Sequence, residues 1–159
     1  MTNPPEAQPA DIHFDDKDPR VAWHRVWFNL QRIQRSMGPR IARELKQAGI
    51  ADPIWYEILL EVERAGETGI LMSMLEKKLF LPQYALSRHI SRIAEAGLVR
   101  RQSEPGQGRS QRLFLTDTGR GLHRRIWDIY GTAIRAELSH RLTTDEAYAL
   151  NRVLIRLYP

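Results

Sequence analysis

At 159 residues, 42% of them hydrophobic and 27% charged, the chain has the composition of one ordinary globular domain, which excludes a disordered or fibrous protein. It has no cysteine, which excludes disulfides, thiolate-ligated zinc, thiol redox sensing and a cysteine nucleophile together. The net charge of +5 is unevenly placed. Nine arginines stand against three acidic residues between Pro82 and Arg125, the localised basic excess that a polyanionic partner requires.

The N-terminal stretch MTNPPEAQPADIHFDDKDP lacks the basic start and apolar centre of a signal peptide, and residues 1–18 read as a flexible tail. Asp11, His13, Asp15 and Asp16 gather metal-ligand types there, but without fixed geometry they read better as a solvated acidic tail, and no metal is expected. No apolar run approaches the roughly 18 residues of a bilayer span, so a cytoplasmic protein with no membrane partner is expected.

From Pro19 to about Lys46 the residues Val26, Leu30, Ile33, Met37, Ile41 and Leu45 recur at helical spacing, with Trp23 and Trp27 thickening the stripe. Gly38-Pro39 predicts a kink or a break in it. Asp52-Pro53 predicts the start of a second helix through about Arg64, with Trp55, Ile58, Leu59 and Val62 turned inward. AGETG is a turn, and Leu71 to Phe80 reads as a third helix burying Leu71, Met74, Leu75 and Leu79. Pro82 opens a fourth helix that stops near Gly97. Leu98–Ser103 and Ser110–Thr116 alternate like the strands of a hairpin around EPGQGR. Thr116 or Asp117 caps a long helix from Thr118 to about Ser139, and Thr143 with Glu146 forms the capping box of a last helix running to Tyr158.

The expected fold is therefore mainly α, with a small two- or three-stranded β-wing. Two terminal stripes (Ile126, Ile129, Tyr130, Ile134 and Leu138; then Tyr148, Leu150, Val153, Leu154 and Leu157) exceed what one small core needs. Helices at 19–48 and 118–159 are expected to pack on a second copy of the chain, flanking a compact region at 49–117.

The fourth helix, PQYALSRHISRIAEAG, sorts into two faces. Leu86, Ile90, Ile93 and Gly97 make the inward stripe, while Tyr84, Ser87, Arg88, Ser91, Arg92 and Glu95 share the other side, with Gln83 at the N-terminal end. An ordinary solvated face mixes lysine and glutamate. This one offers arginines, which present two-pronged donors to guanine edges or phosphates, beside a glutamine that can pair with adenine and hydroxyls that reach either. The preceding helix, the tight turn Phe80-Leu81-Pro82 and this helix make a helix-turn-helix whose second helix suits a major groove. The hairpin is then its wing, with Arg109 at the tip for backbone or minor groove, and Arg112 and the Arg100–Arg101 pair on the stem for phosphates.

The stretch ALSRHISRIAEAGLVRRQSEPGQGRSQRLFLTDTGR resembles the recognition helix, wing and following helix of the MarR family of transcriptional regulators. Ser87-Arg88, Arg92, Gly97-Leu98-Val99, Arg109 and Leu115-Thr116 with Gly119 carry the resemblance, and the order of elements extends it from Pro19 to Tyr158. It implies a winged helix-turn-helix with long dimerisation helices: a homodimeric repressor binding a pseudo-palindromic operator in double-stranded DNA, often relieved by a small aromatic or phenolic effector. The family's wing usually carries an aspartate where Gln107 or Gly108 stands here, and Tyr84 replaces a small residue. In the family the ligand pocket lies where the first, second and fifth helices meet, and Trp23, Trp27, Trp55, Tyr56 and Trp127, with His24 and Arg25 nearby, are aromatics that would suit an aromatic carboxylate there; a dimer core explains them better, and no residue is assigned to a ligand.

Other classes fit less well. EPGQGR matches neither GxxxxGK[ST] nor GxGxxG and does not precede a helix, so it cradles no nucleotide cofactor. No spacing yields a nucleophile, base and orienting group, so no enzyme is expected, the rival being one that acts on aromatic acids. His89, beside the core stripe, reads as a packing residue. The remaining alternative is a winged-helix module that binds proteins and has no operator of its own.

Overall fold

The computed structural model describes residues 17–103 and 111–158. Six helices and three short strands follow in the order α1 (Pro19–Gln47), α2 (Ile54–Arg64), β1 (Ile70–Leu71), α3 (Met72–Leu79), α4 (Gln83–Glu95), β2 (Val99–Ser103), β3 (Gln111–Leu115), α5 (Asp117–Leu138) and α6 (Thr144–Ile155), with a 3-10 turn at Gly66–Thr68. The chain divides into two compact units between Ser36 and Met37, inside α1 rather than at its end.

The described part of the first unit is the first part of α1. Asp18 starts it: its carboxylate accepts from the Arg20 backbone N–H at 2.9 Å and pairs with the Arg20 guanidinium at 3.0 Å. Asp18 thus belongs to the helix as its cap, while residues 1–16 of the expected tail, with the Asp11, His13, Asp15 and Asp16 cluster, lie outside the described residues. Trp23 and Trp27 are more than half exposed.

The second unit holds the core. Leu45, Ile58, Leu59, Val62, Leu75, Leu86, Ile90, Ile93, Leu113 and Ile126 have no accessible surface, so α1's end, α2, α3, α4, the sheet and α5 meet in one cluster. Each such side chain contributes about 1.5–3 kcal/mol through burial. Gly38-Pro39 does not break α1, which stays helical through it. Asp52 accepts from Ile54 N–H at 3.0 Å and opens α2 as expected; Trp55 is only half-buried.

Two expectations fail between Gly69 and Leu79. The apolar run begins as a strand: Ile70 pairs with Leu113 and Leu71 with Arg112, which makes the sheet three-stranded and antiparallel in the order β1-β3-β2. Gly69 permits this, because its φ of 63° suits glycine and an added Cβ would lie 2.7 Å from the Leu113 carbonyl. The helix therefore starts at Met72, and this register leaves Met74 half exposed instead of inward. Gly97 also leaves the core stripe. It is exposed, with φ 71°, and ends α4 rather than packing.

Thr116 makes the junction that follows the wing. Its hydroxyl donates to the carbonyls of Gly97 at 2.7 Å and Leu98 at 3.0 Å, and accepts from Gly119 N–H at 3.0 Å, capping α5. Gly119 presses so closely on Leu98 that a Cβ would stand 2.1 Å from its carbonyl oxygen. At α6 both halves of the capping box form, Thr143 and Glu146 bonding reciprocally.

Candidate nucleic-acid interface

Phe80 adopts a left-handed conformation (φ 52°) between α3 and α4, and Pro82 then turns the chain extended before the new helix. This sharp reversal sets α4 across α3. Its apolar stripe, Leu86, Ile90 and Ile93, is wholly buried, which forces the opposite face outward.

On that face Gln83, Tyr84, Ser87, Arg88, Arg92 and Glu95 are exposed, Tyr84 to 72%. Arg88 and Arg92 lie one turn apart, and neither is bonded to any described residue. Like charges at this spacing destabilise a helix by a few tenths of a kcal/mol, and Glu95 does not relieve them. A local cost of this kind with no structural return is the mark of a binding surface. Ser91 differs from its neighbours. It is half-buried, and its Oγ accepts from Arg101 Nη2 at 3.0 Å.

The wing strands pair Val99 with Leu115, Arg100 with Phe114, Arg101 with Leu113 and Gln102 with Arg112. Alternation then separates the arginines that adjoin in sequence. Arg101 shares the core face with buried Val99 and Leu113. Arg100 leaves by the other face, its guanidinium 4.4 Å from the Phe114 ring centre, a cation–π contact that holds it in place. Arg112 Nη1 donates to the backbone carbonyls of Thr68 at 3.0 Å and Gly69 at 3.3 Å, bracing β3 against the 3-10 turn. Arg109, the expected tip of the wing, lies outside the described residues.

The expected site thus divides. Gln83, Tyr84, Ser87, Arg88 and Arg92 share one exposed face, Ser91 is tied to the wing, and Arg112 reaches backwards into the fold. A cleft of 380 Å³ beside α4 adds Ser73, Glu76 and Gln111 to Gln83 and Ser87. Ser73 and Gln111 escaped sequence reasoning. Their only signal is polarity at the edge of apolar runs, and their convergence depends on how α3, α4 and β3 meet.

The aromatic residues also divide. Trp23, His24 and Trp27 lie in the first unit. In the second, Tyr56 stacks on His123 at 5.1 Å and on Trp127 at 6.0 Å and meets Tyr130 edge-on at 5.5 Å. Burial holds the Tyr56 and Tyr130 phenols above their ordinary pKa, so both remain hydrogen-bond donors at neutral pH. His123, 6% exposed with Nδ1 2.6 Å from Glu63 Oε2, is the deeply buried histidine; His89 is half-buried.

Comparison with known proteins accords with this geometry. Residues 48–110 match the model of the MarR family. A MarR family transcriptional regulator from Streptomyces coelicolor, solved in complex with DNA, superposes with a TM-score of 0.76 at 23% identity, covering 89% of this chain and 91% of that one. A mutant MarR from E. coli complexed with operator DNA gives 0.73 at 22% identity over 89% and 99%. The transcriptional regulator BldR from Sulfolobus solfataricus gives 0.74 at 19% over 87% and 99%. These likenesses establish the fold. A sequence search of curated proteins finds no match.

Proposed function

We propose, from the match of residues 48–110 to the MarR family model, that the protein is a sequence-specific DNA-binding transcriptional regulator. The family is one of regulators and not of enzymes, which retires the aromatic-acid enzyme. The observation that carries the reading is the outer face of α4: two arginines with no partner among the described residues, an exposed tyrosine and small polar groups, opposite a stripe with no accessible surface. Arg88 and Arg92 serve as the base-reading or phosphate-gripping forks, with Gln83, Tyr84 and Ser87 beside them. Arg100, held over Phe114, sits beyond them on the stem. Arg109, on its place in the sequence, is assigned to the DNA backbone, and Arg112 braces β3 against the 3-10 turn.

The protein acts as a homodimer, most simply a repressor. In support, Tyr148, Val153, Ile155, Leu157 and Tyr158 of the α6 region are each about half exposed or more, an apolar surface that a lone subunit leaves in water. Two α4 helices then enter successive major grooves of a pseudo-palindrome, about one helical turn apart. A small aromatic or phenolic effector finds ring partners in Tyr56, Trp127 and Tyr130. Among the described residues no helix is long and apolar enough to cross a membrane.

Selection of bound duplexes from a random pool tests the reading. A recovered palindrome with half-sites one turn apart is the expected result. Failure to enrich any sequence at any salt concentration would identify a protein-binding winged-helix module instead.

A further inference from the structure

Arg101 stands on the core face of β2, opposite Leu113, where a charge is costly to keep. Among the described residues no carboxylate pairs with it, and its Nε is buried with no hydrogen-bond partner. The one described bond of its guanidinium runs to Ser91 Oγ at 3.0 Å, across from the wing to α4. Resting on the DNA-binding reading above, we infer that Arg101 is a positioning residue that makes the Ser91 hydroxyl a dedicated hydrogen-bond donor toward DNA.

The chemistry runs in one direction. A guanidinium donates and never accepts, so in the Arg101–Ser91 bond the serine oxygen is the acceptor. The Ser91 proton must point elsewhere, and it has no acceptor among the described residues: Ser91 does not bond back to its own helix, as Ser36 does to Ile33 at 3.2 Å. Ser91 lies on the α4 surface between Arg88 and Arg92, one turn after Ser87. Its partner is therefore an acceptor atom of the DNA, either a phosphate oxygen or a base acceptor such as purine N7, guanine O6 or thymine O4, and not the amino group of adenine or cytosine. The arginine that reads as a phosphate contact in sequence thus acts on DNA through a serine.

The test is a double-mutant cycle on the full-length protein, with Ser91→Ala, Arg101→Met, both together, and Arg101→Lys, measured on a duplex selected by the wild type. Each single substitution is expected to weaken binding about tenfold, the worth of roughly one hydrogen bond. The double variant should be no weaker than either single one, because both remove the same interaction. Arg101→Lys keeps a donor for Ser91 and should restore most of the affinity. Salt dependence separates this role from direct contact. Arg101→Met should leave the slope of log affinity against log salt unchanged, whereas a lost phosphate contact lowers it by about 0.9. Repeating the selection with Ser91→Ala separates the two acceptors: lost preference at one base pair per half-site means a base, and uniform weakening a phosphate. Additive effects, a fallen slope, or no rescue by lysine with the melting temperature preserved would overturn the inference while leaving the DNA-binding reading intact. A wild type that selects no duplex would sink both.

Discussion

Arg88 and Arg92 show most plainly how a residue's surroundings disclose its use. Both sit on a helix whose other side is fully buried, and neither has a partner among the described residues. Alanine at either position should therefore leave thermal unfolding almost unchanged and weaken binding to the selected duplex by about 1–3 kcal/mol where the arginine reads a base. Wild-type affinity in both variants would move the interface off α4. Alternation alone divides the stem arginines: strand period two sends Arg101 inward and Arg100 outward. That division follows from the pairing register, and the Ser91 contact joins elements ten positions apart in sequence. Local pattern therefore revealed the two-faced helix but not which of its hydroxyls was already engaged. His123 escaped for a related reason, since its burial depends on Tyr56 and Glu63 of α2.

Among the elements, the caps and stripes were the legible part. Thr116, Thr143 with Glu146, and Asp52 all begin helices where their spacing predicts, because a cap is a local bond between near neighbours. Strand β1 was not legible, since two residues carry no period and their strand character comes wholly from β3. Gly119→Ala should destabilise the fold by about 1–3 kcal/mol by overpacking against Leu98, which a lowered denaturant midpoint with an unchanged slope would record. The tie between α2 and α3 makes a pH-dependent prediction. Glu61 bonds Lys78 at 2.8 Å and Arg64 at 2.7 Å. Desolvation raises its pKa, but those two cations outweigh it and hold the carboxyl below its ordinary value. A depressed folded-state pKa contributes stability above the unfolded-state value and loses it as pH falls through the folded one. Glu61→Gln should therefore flatten the acid limb of the stability profile, and urea midpoints measured across that limb should run more nearly level than in the wild type.

At the scale of the whole molecule the basic excess falls on the segment that carries α4, the wing strands and the start of α5, and the division of the chain inside α1 lies beside Gly38-Pro39, where the sequence predicts a kink or a break, although the helix is continuous there. The apolar residues of α6 carry the assembly prediction. Replacing Val153 and Leu157 by aspartate together should yield a monomer in sedimentation equilibrium while leaving the helical circular-dichroism signal near that of the wild type. That monomer should bind a single half-site weakly and show no preference for the palindrome. A dimer surviving both aspartates would place the interface elsewhere.

The junction at Thr116 has a mechanical consequence. Its hydroxyl clamps the carbonyls that end α4 to the first turn of α5, and Gly119 closes the space in which that joint would flex. Helix α5 has 22 residues, a lever of about 33 Å. A tilt of about 5° at its far end would swing α4 by roughly 3 Å, close to the rise of one base pair. In a dimer joined at that far end, the protein would gauge the distance between half-sites as a pair of calipers does, and a molecule wedged beside α5 would need to spread the legs only slightly to lose the fit.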